Sequence, residues 1–228
     1  MAILTGSGNS NLFSKIITSI HSALTAAEPE ITRMDTIMGD GDCGTTLLEG
    51  SSALVAGLNK EISPTSLSHG VMSVANVLSC SMGGTSGALY AVFFTAFASA
   101  ICDAGKHDPS VVDFSTLVQC LETALKKLEQ VTAARMGDRT MMDALIPAIS
   151  ALARRRWDDP SVAFDDAVTA ATLGCKRTKT LSSKFGRSTY VSAEGDDSSA
   201  NDIPDPGACG VVAILTGIRD AIKGERIN

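Results

Sequence analysis

The sequence predicts an all-α fold, an antiparallel bundle of about eight helices. Three observations predict it. Apolar residues recur at steps of three to four along almost the whole chain. No stretch alternates apolar and polar residues as a half-buried strand would. The breaks between periodic segments are short and rich in Gly, Pro, Asp and Ser.

The first helix carries the stripe Leu12, Phe13, Ile16, Ile17, Ile20 and Leu24, and Pro29 is expected to end it, because proline cannot continue the hydrogen-bond ladder. His21 beside that stripe reads as a satisfied, half-buried histidine. A second helix is expected from Thr45 to about Asn59. Ser63 and Pro64 read as cap and first residue of a third, running to about Ser81. The fourth follows Gly83-Gly84, from Thr85 to about Cys102; it is apolar nearly all round, which predicts a place in the middle of the bundle. Asp113 caps a fifth, with Leu117, Leu121, Leu125 and Leu128 on one face. The sixth spans Thr140 to about Arg156, with Asp138 read as its cap. Asp159-Pro160 opens a seventh that runs to about Ser182. After a loop from Gly186 to Gly207, an eighth covers about Ala208 to Lys223.

With 44% hydrophobic residues in 228, the chain has ample apolar surface to fold, and one domain over 1–228 is expected, residues 1–10 being a linker or flexible start. A net charge of −6 argues against broad binding to nucleic acid or anionic lipid, and 4% aromatics against base-stacking platforms. No segment reaches the ~18 uninterrupted apolar residues of a membrane span. The first ten residues lack a secretory pattern, so a cytoplasmic location is expected. Six cysteines without a C-x-x-C pair read as buried, reduced thiols.

The chemistry concentrates in the short breaks. The stretch Met34 to Thr46 holds a literal G-x-G-x-x-G in Gly39, Gly41 and Gly44, but no strand precedes it and its aspartates would repel a pyrophosphate. An EF-hand also fails, since position 5 would be Gly44 and no Glu falls at position 12. What remains is Asp35, Asp40 and Asp42 gathered by a glycine-rich turn. Carboxylates ~5 Å apart repel by roughly 3 kcal/mol per pair at an effective dielectric of about 20. Oxygen-only ligands favour Mg²⁺ or Ca²⁺; the competing reading is that these residues are turn formers and caps in solvent. Ser81 to Tyr90 opens the fourth helix with small residues, which suits an anion, or serves only close packing. Arg187 in Gly186-Arg187-Ser188-Thr189-Tyr190 can clamp a phosphate or form a surface ion pair.

In order, the chain reads G-D-G-D-C-G-T-T, M-G-G-T-S-G-A-L-Y, G-D-R-T-M, G-R-S-T-Y and D-P-G-A. This resembles the nucleotide-binding L domain of dihydroxyacetone (glycerone) kinases, from about Leu12 to Ile222. The resemblance implies an eight-helix up-and-down barrel with the nucleotide in the loops at one end. It implies that Asp35, Asp40 and Asp42 hold two Mg²⁺ ions against the phosphates of ATP or ADP. It further implies that Cys43, Gly44, Thr45, Thr46, Gly84, Thr85 and Ser86 line the phosphates. Thr132, Met141, Arg187, Asp205, Pro206 and Gly207 would complete the nucleotide pocket.

Family members often carry Gly at the place of Thr132 and Pro at that of Met136. The loop Asp40-Gly41-Asp42-Cys43 resembles the form that exchanges ATP. The form that keeps ADP and is recharged by a phosphotransferase-system protein usually reads D-A-D-H there. In the family the triose is held by a histidine on a separate K domain, which also supplies acid–base residues. His21, His69 and His107 lie in no such motif, so no catalytic residue is expected here and a K domain or subunit is the expected partner. A homodimer stays open. Alternatives are the ADP-holding subunit, the ATP domain of a fatty-acid kinase and a nucleotide-sensing module.

Overall fold

The computed structural model describes residues 9–58, 60, 62, 66–106, 112–185, 189 and 202–225. The first eight residues, the Ser63-Pro64 pair, His107 and Arg187 therefore lie outside the described residues. Eight α-helices are described: α1 (Asn9–Met38), α2 (Cys43–Gly57), α3 (Leu67–Ser81) and α4 (Gly84–Ala104). They continue with α5 (Phe114–Val131), α6 (Met142–Arg154), α7 (Pro160–Arg177) and α8 (Pro206–Gly224). A 3-10 turn, Thr178–Thr180, follows α7, and one isolated bridge joins Leu58 to Ile62; the described residues hold no strand.

Each helix packs on the next in the chain, and α8 returns to both α7 and α1, so the ring closes. Its interior is apolar: Leu24 and Ile31 of α1, Leu47 and Leu54 of α2, Leu128 of α5, Met142 and Leu152 of α6, Val211 of α8. Burial of each such side chain contributes about 1.5–3 kcal/mol. Small residues set the closest approaches. A Cβ on Gly174 of α7 would stand 1.9 Å from the Asp143 carbonyl oxygen of α6, and one on Gly217 of α8 would stand 2.6 Å from Cα of Ile20.

The structure departs from the sequence reading in several places. Helix α1 passes through Pro29 to Met38. Pro29 and Thr25, whose carbonyl loses its donor, are both exposed, so water can take the vacated bond while Leu24, Ile31 and Met38 anchor the helix on both sides. Helix α4 is not central. It touches chiefly α3 and α5, and among its residues only Gly87, Tyr90, Phe93, Ala98 and Ile101 are buried. By length and composition alone this helix is also apolar enough to cross a membrane, although Thr85, Ser86, Thr95 and Ser99 keep it from being an uninterrupted apolar run. The helix with the most buried face is α6, where alanines alternate with Met142, Leu145, Ile149 and Leu152. Ser66 caps α3, accepting from the His69 N–H at 3.3 Å.

Two caps expected from sequence hold as written: Asp113 accepts from the Thr116 N–H and Asp159 from the Ser161 N–H. Asp138 does not cap α6. Its carboxylate accepts from the Arg135 N–H at 2.7 Å and from Lys184 Nζ at 2.6 Å, and Asp143, inside the first turn, reaches back to the N–H groups of Gly137 and Thr140. His21 is half-buried and pairs through Nδ1 with Ser51 Oγ at 3.1 Å, as expected. All six cysteines are free, but only Cys120 and Cys175 are buried; Cys80 and Cys102 are exposed.

Candidate functional site

Up-and-down topology sends every second helix the same way. The starts of α2, α4, α6 and α8 therefore gather at one end, around a cavity of about 310 Å³. Each helix start carries N–H groups without intrahelical partners and roughly half a positive charge. Four such starts on one cavity make a strong anion environment.

Beside it stand the carboxylates. Asp35 lies in the last turn of α1, Asp40 and Asp42 in the turn that follows, and their ligand oxygens all fall within 4.8 Å of one another. Asp35 Oδ2 accepts from the Cys43 N–H at 2.9 Å, which ties the end of α1 to the start of α2. Glycines make the turn possible. Gly41 sits at φ +78°, a region that L side chains avoid, and a Cβ on Gly39 would stand 2.5 Å from Asp35 Oδ1. Asp42 is the N-cap of α2 by position, yet its side chain makes no cap hydrogen bond. The cap reading of that residue is therefore not what the structure presents.

The α4 wall is the second element. Gly83 is the N-cap without a side-chain bond, and Gly84 sits at φ +65°. A Cβ on either would meet nothing within 4 Å, so the backbone faces open space, whereas one on Gly87 would stand 2.2 Å from the Met82 carbonyl oxygen. The turn is held tightly from behind and left open in front. Thr85, Ser86, Leu89 and Tyr90 line the cavity from this helix. Burial pushes the Tyr90 hydroxyl above its usual range, and burial together with Asp35, Asp205, Asp42 and Asp40 does the same to the Cys43 thiol. Both are neutral walls.

Thr132, Ala134, Arg139, Thr140, Met141 and Met142 form the third side. Arg139 is the only non-glycine at positive φ among the described residues, at 58°. It is buried, and its guanidinium donates to the carbonyls of Leu181 (3.1 Å) and Ile203 (2.7 Å), which brings the segment after α7 and the segment before α8 to the cavity. Asp205, Pro206 and Gly207 close the fourth side. Asp205 caps α8 through the Ala208 N–H at 2.7 Å. Loss of water pushes its carboxyl up to about 7; that cap bond and Arg139 act the other way, while Asp143 and Asp35 reinforce the rise.

Of the residues expected at the site, Asp35, Asp40, Asp42, Cys43, Thr46, Gly84, Thr85, Ser86, Thr132, Met141, Asp205, Pro206 and Gly207 all line this one cavity. Gly44 and Thr45 do not. Gly44 is buried against α1, where a Cβ would stand 2.3 Å from Thr32 Oγ1, and the Thr45 hydroxyl donates to the Asp42 carbonyl at 2.9 Å. Sequence reasoning did not assign Ala134 or Phe185 to the wall, and it held Leu89, Tyr90 and Arg139 only as members of their motifs, without a role of their own. The signal for Arg139 was present in Gly137-Asp138-Arg139, three consecutive residues ahead of a helix start.

A closed ring of eight helices thus gathers four helix starts and a carboxylate triad at one end. The chain belongs to the DAK2 domain family, whose pattern matches residues 37–220. It is 36% identical over 219 residues to the dihydroxyacetone kinase of Komagataella pastoris, covering 93% of this chain and 35% of that protein. It is 38% identical over 196 residues to dihydroxyacetone kinase 1 of Saccharomyces cerevisiae, covering 86% of this chain and 31% of that one. The chain thus spans about a third of the length of the curated relatives it matches. The crystal structure of the C. freundii dihydroxyacetone kinase in its native form superposes with a TM-score of 0.72 at 25% identity, over 96% of this chain and 36% of that one. The same enzyme is also solved in complex with AMP-PNP and Mg²⁺.

Proposed function

We propose that the chain is the Mg-ATP-binding domain of a dihydroxyacetone kinase, which supplies the phosphoryl group to a triose held on a separate K domain or subunit. The carrying observation is the convergence of four helix starts on one cavity, with three carboxylates within 4.8 Å of one another at its edge. The kinship with dihydroxyacetone kinases and the AMP-PNP and Mg²⁺ complex of the C. freundii enzyme support it.

The residues fit Mg²⁺. The donors are hard oxygens, their mutual repulsion calls for a cation, and a Cβ at Gly39 would displace one of them. Asp35, Asp40 and Asp42 would hold two ions. Bound there, magnesium would offset the charge of the polyphosphate and leave the terminal phosphoryl electrophilic. The chain's own part is positioning. The N–H groups at Gly84 to Ser86, with the Thr46, Thr85 and Ser86 hydroxyls, orient the phosphates. Arg139 fixes the loop carbonyls, and Met141, Pro206 and Gly207 give an apolar seat for the base, completed by Thr132 and Asp205; the family resemblance would add Arg187, which lies outside the described residues. The acceptor and the acid–base groups come with the partner. Phosphoryl transfer therefore needs both parts, and the Gly41-Asp42-Cys43 loop favours exchangeable ATP over tightly held ADP.

Calorimetric titration with ATP in millimolar Mg²⁺ tests the reading, followed by addition of a K domain and dihydroxyacetone. Magnesium-dependent binding, and phosphorylated triose only with both parts present, is the expected result. Binding without transfer to triose would leave a sensing module or another acceptor. ADP that survives dialysis would favour the phosphotransferase-linked form.

A further inference from the structure

Next to the cavity floor lies a sulfur cluster that nucleotide binding does not use. Cys175, near the end of α7, is buried, and its Sγ stands 3.3 Å from Sγ of Cys209 in the first turn of α8. Met34 Sδ lies 3.7 Å from the same Cys209 sulfur. Both thiols are free.

The backbones around the pair are already fixed without any help from sulfur. The Thr178 hydroxyl donates to the Cys175 carbonyl at 2.6 Å and accepts from the Asp205 N–H at 2.7 Å. The Cys209 N–H in turn donates to the Asp205 carbonyl at 3.0 Å. The close contact of Gly174 with α6 holds the other side of Cys175. A disulfide needs its sulfurs about 2.05 Å apart. The remaining approach is roughly 1 Å, within reach of small side-chain rotations.

We infer that Cys175 and Cys209 form a reversible disulfide when the protein meets a hydroperoxide, a modification site that clamps the end of α7 to the cavity segment at Asp205 to Gly207. The Cys175 thiolate attacks one peroxide oxygen. The O–O bond breaks, giving a sulfenic acid and hydroxide, which takes the thiol proton and leaves as water. Cys209 sulfur then attacks the sulfenic sulfur. The S–S bond forms, the S–O bond breaks, and a second water leaves with the Cys209 proton. Two thiols are oxidised and one peroxide is reduced to two waters; a dithiol reductant reverses the change.

Cys175 is the attacking thiol. Its contact with Cys209 and the nearby Lys179 and Lys176 hold it below the usual thiol range, against its burial and the charge of Asp205. Cys209 is pushed up by Cys175, by burial and by Asp205 and Cys43. Cys175 is buried and Cys209 half-buried, which favours a small oxidant.

The test is hydrogen peroxide treatment of the purified chain, alkylation of the remaining thiols and peptide mapping by mass, none of which involves nucleotide. A linked Cys175–Cys209 peptide, lost with dithiothreitol, is expected. Cys209→Ser should stop at a Cys175 sulfenic acid trapped by dimedone. The melting temperature of the oxidised wild type should rise by several degrees, because the link closes a loop of 34 residues, with no rise in the Cys209→Ser variant. A Cys43–Cys209 link, oxidation confined to Cys80 and Cys102, or a linked product that melts no higher than the reduced protein would overturn the proposal.

Discussion

The two ends of the helical ring are built from the same elements and treated in opposite ways. At the end away from the cavity, the starts of α3, α5 and α7 are closed by their own side chains, Ser66, Asp113 and Asp159. At the cavity end, α2 begins at Asp42, α4 at Gly83 and α6 at Met141, and none of these makes a side-chain cap bond. There α8 is capped by Asp205, the Cys43 N–H of α2 is taken by Asp35 and the Met142 N–H of α6 by the Thr140 hydroxyl, so of the four starts α4 has no side-chain cap. A capped start has satisfied its N–H groups and has nothing left for a ligand; an uncapped one costs stability and keeps its dipole for an anion. The far-end starts are each closed by their own cap, and at the near end the start of α4 stays open.

The largest expected effect breaks the near end. Asp40→Ala or Asp42→Ala should lower magnesium-dependent ATP affinity on the order of 100-fold, read by calorimetry, because each removes a ligand oxygen. Gly87→Ala should destabilise the fold by about 2 kcal/mol, read by denaturant titration, because the new methyl meets the Met82 carbonyl oxygen.

Asp205→Asn sharpens the contrast through pH. The folded carboxyl is raised to about 7, so the folded state holds its proton more tightly than the unfolded chain. Stability is thus present at low pH and falls as pH rises from the ordinary aspartate range to about 7. Without ligand, the asparagine variant should be more stable than wild type at pH 8, by about 4 kcal/mol, and equal to it near pH 4. The smallest effect lies at the far end. Asp159→Ala should cost about 1 kcal/mol, or roughly 2–4 °C in melting temperature, and leave nucleotide affinity unchanged.

Local chemistry made much of this legible in the sequence. Asp113 and Asp159-Pro160 were readable as helix starts, and Asp205-Pro206 carries the same signature two residues before the start expected at Ala208. The aspartate cluster was readable because glycines beside it imply a sharp turn. Tertiary context decided the rest. Pro29 stays inside α1 because the carbonyl it strands faces water and the core holds both flanks. Apolar composition placed α4 at the centre, but its small residues sit on an outer wall, and the ring, not one helix, encloses the core. Arg139 owes its role to carbonyls 42 and 64 residues away, a distance no local pattern reports.

Amide hydrogen exchange with and without saturating Mg-ADP tests the contrast between the two ends most directly. New protection is predicted at Gly84 to Ser86, with none at Phe114 to Thr116 or Ser161 to Ala163. Equal protection at both ends, or none at Gly84 to Ser86 while nucleotide is bound, would contradict it.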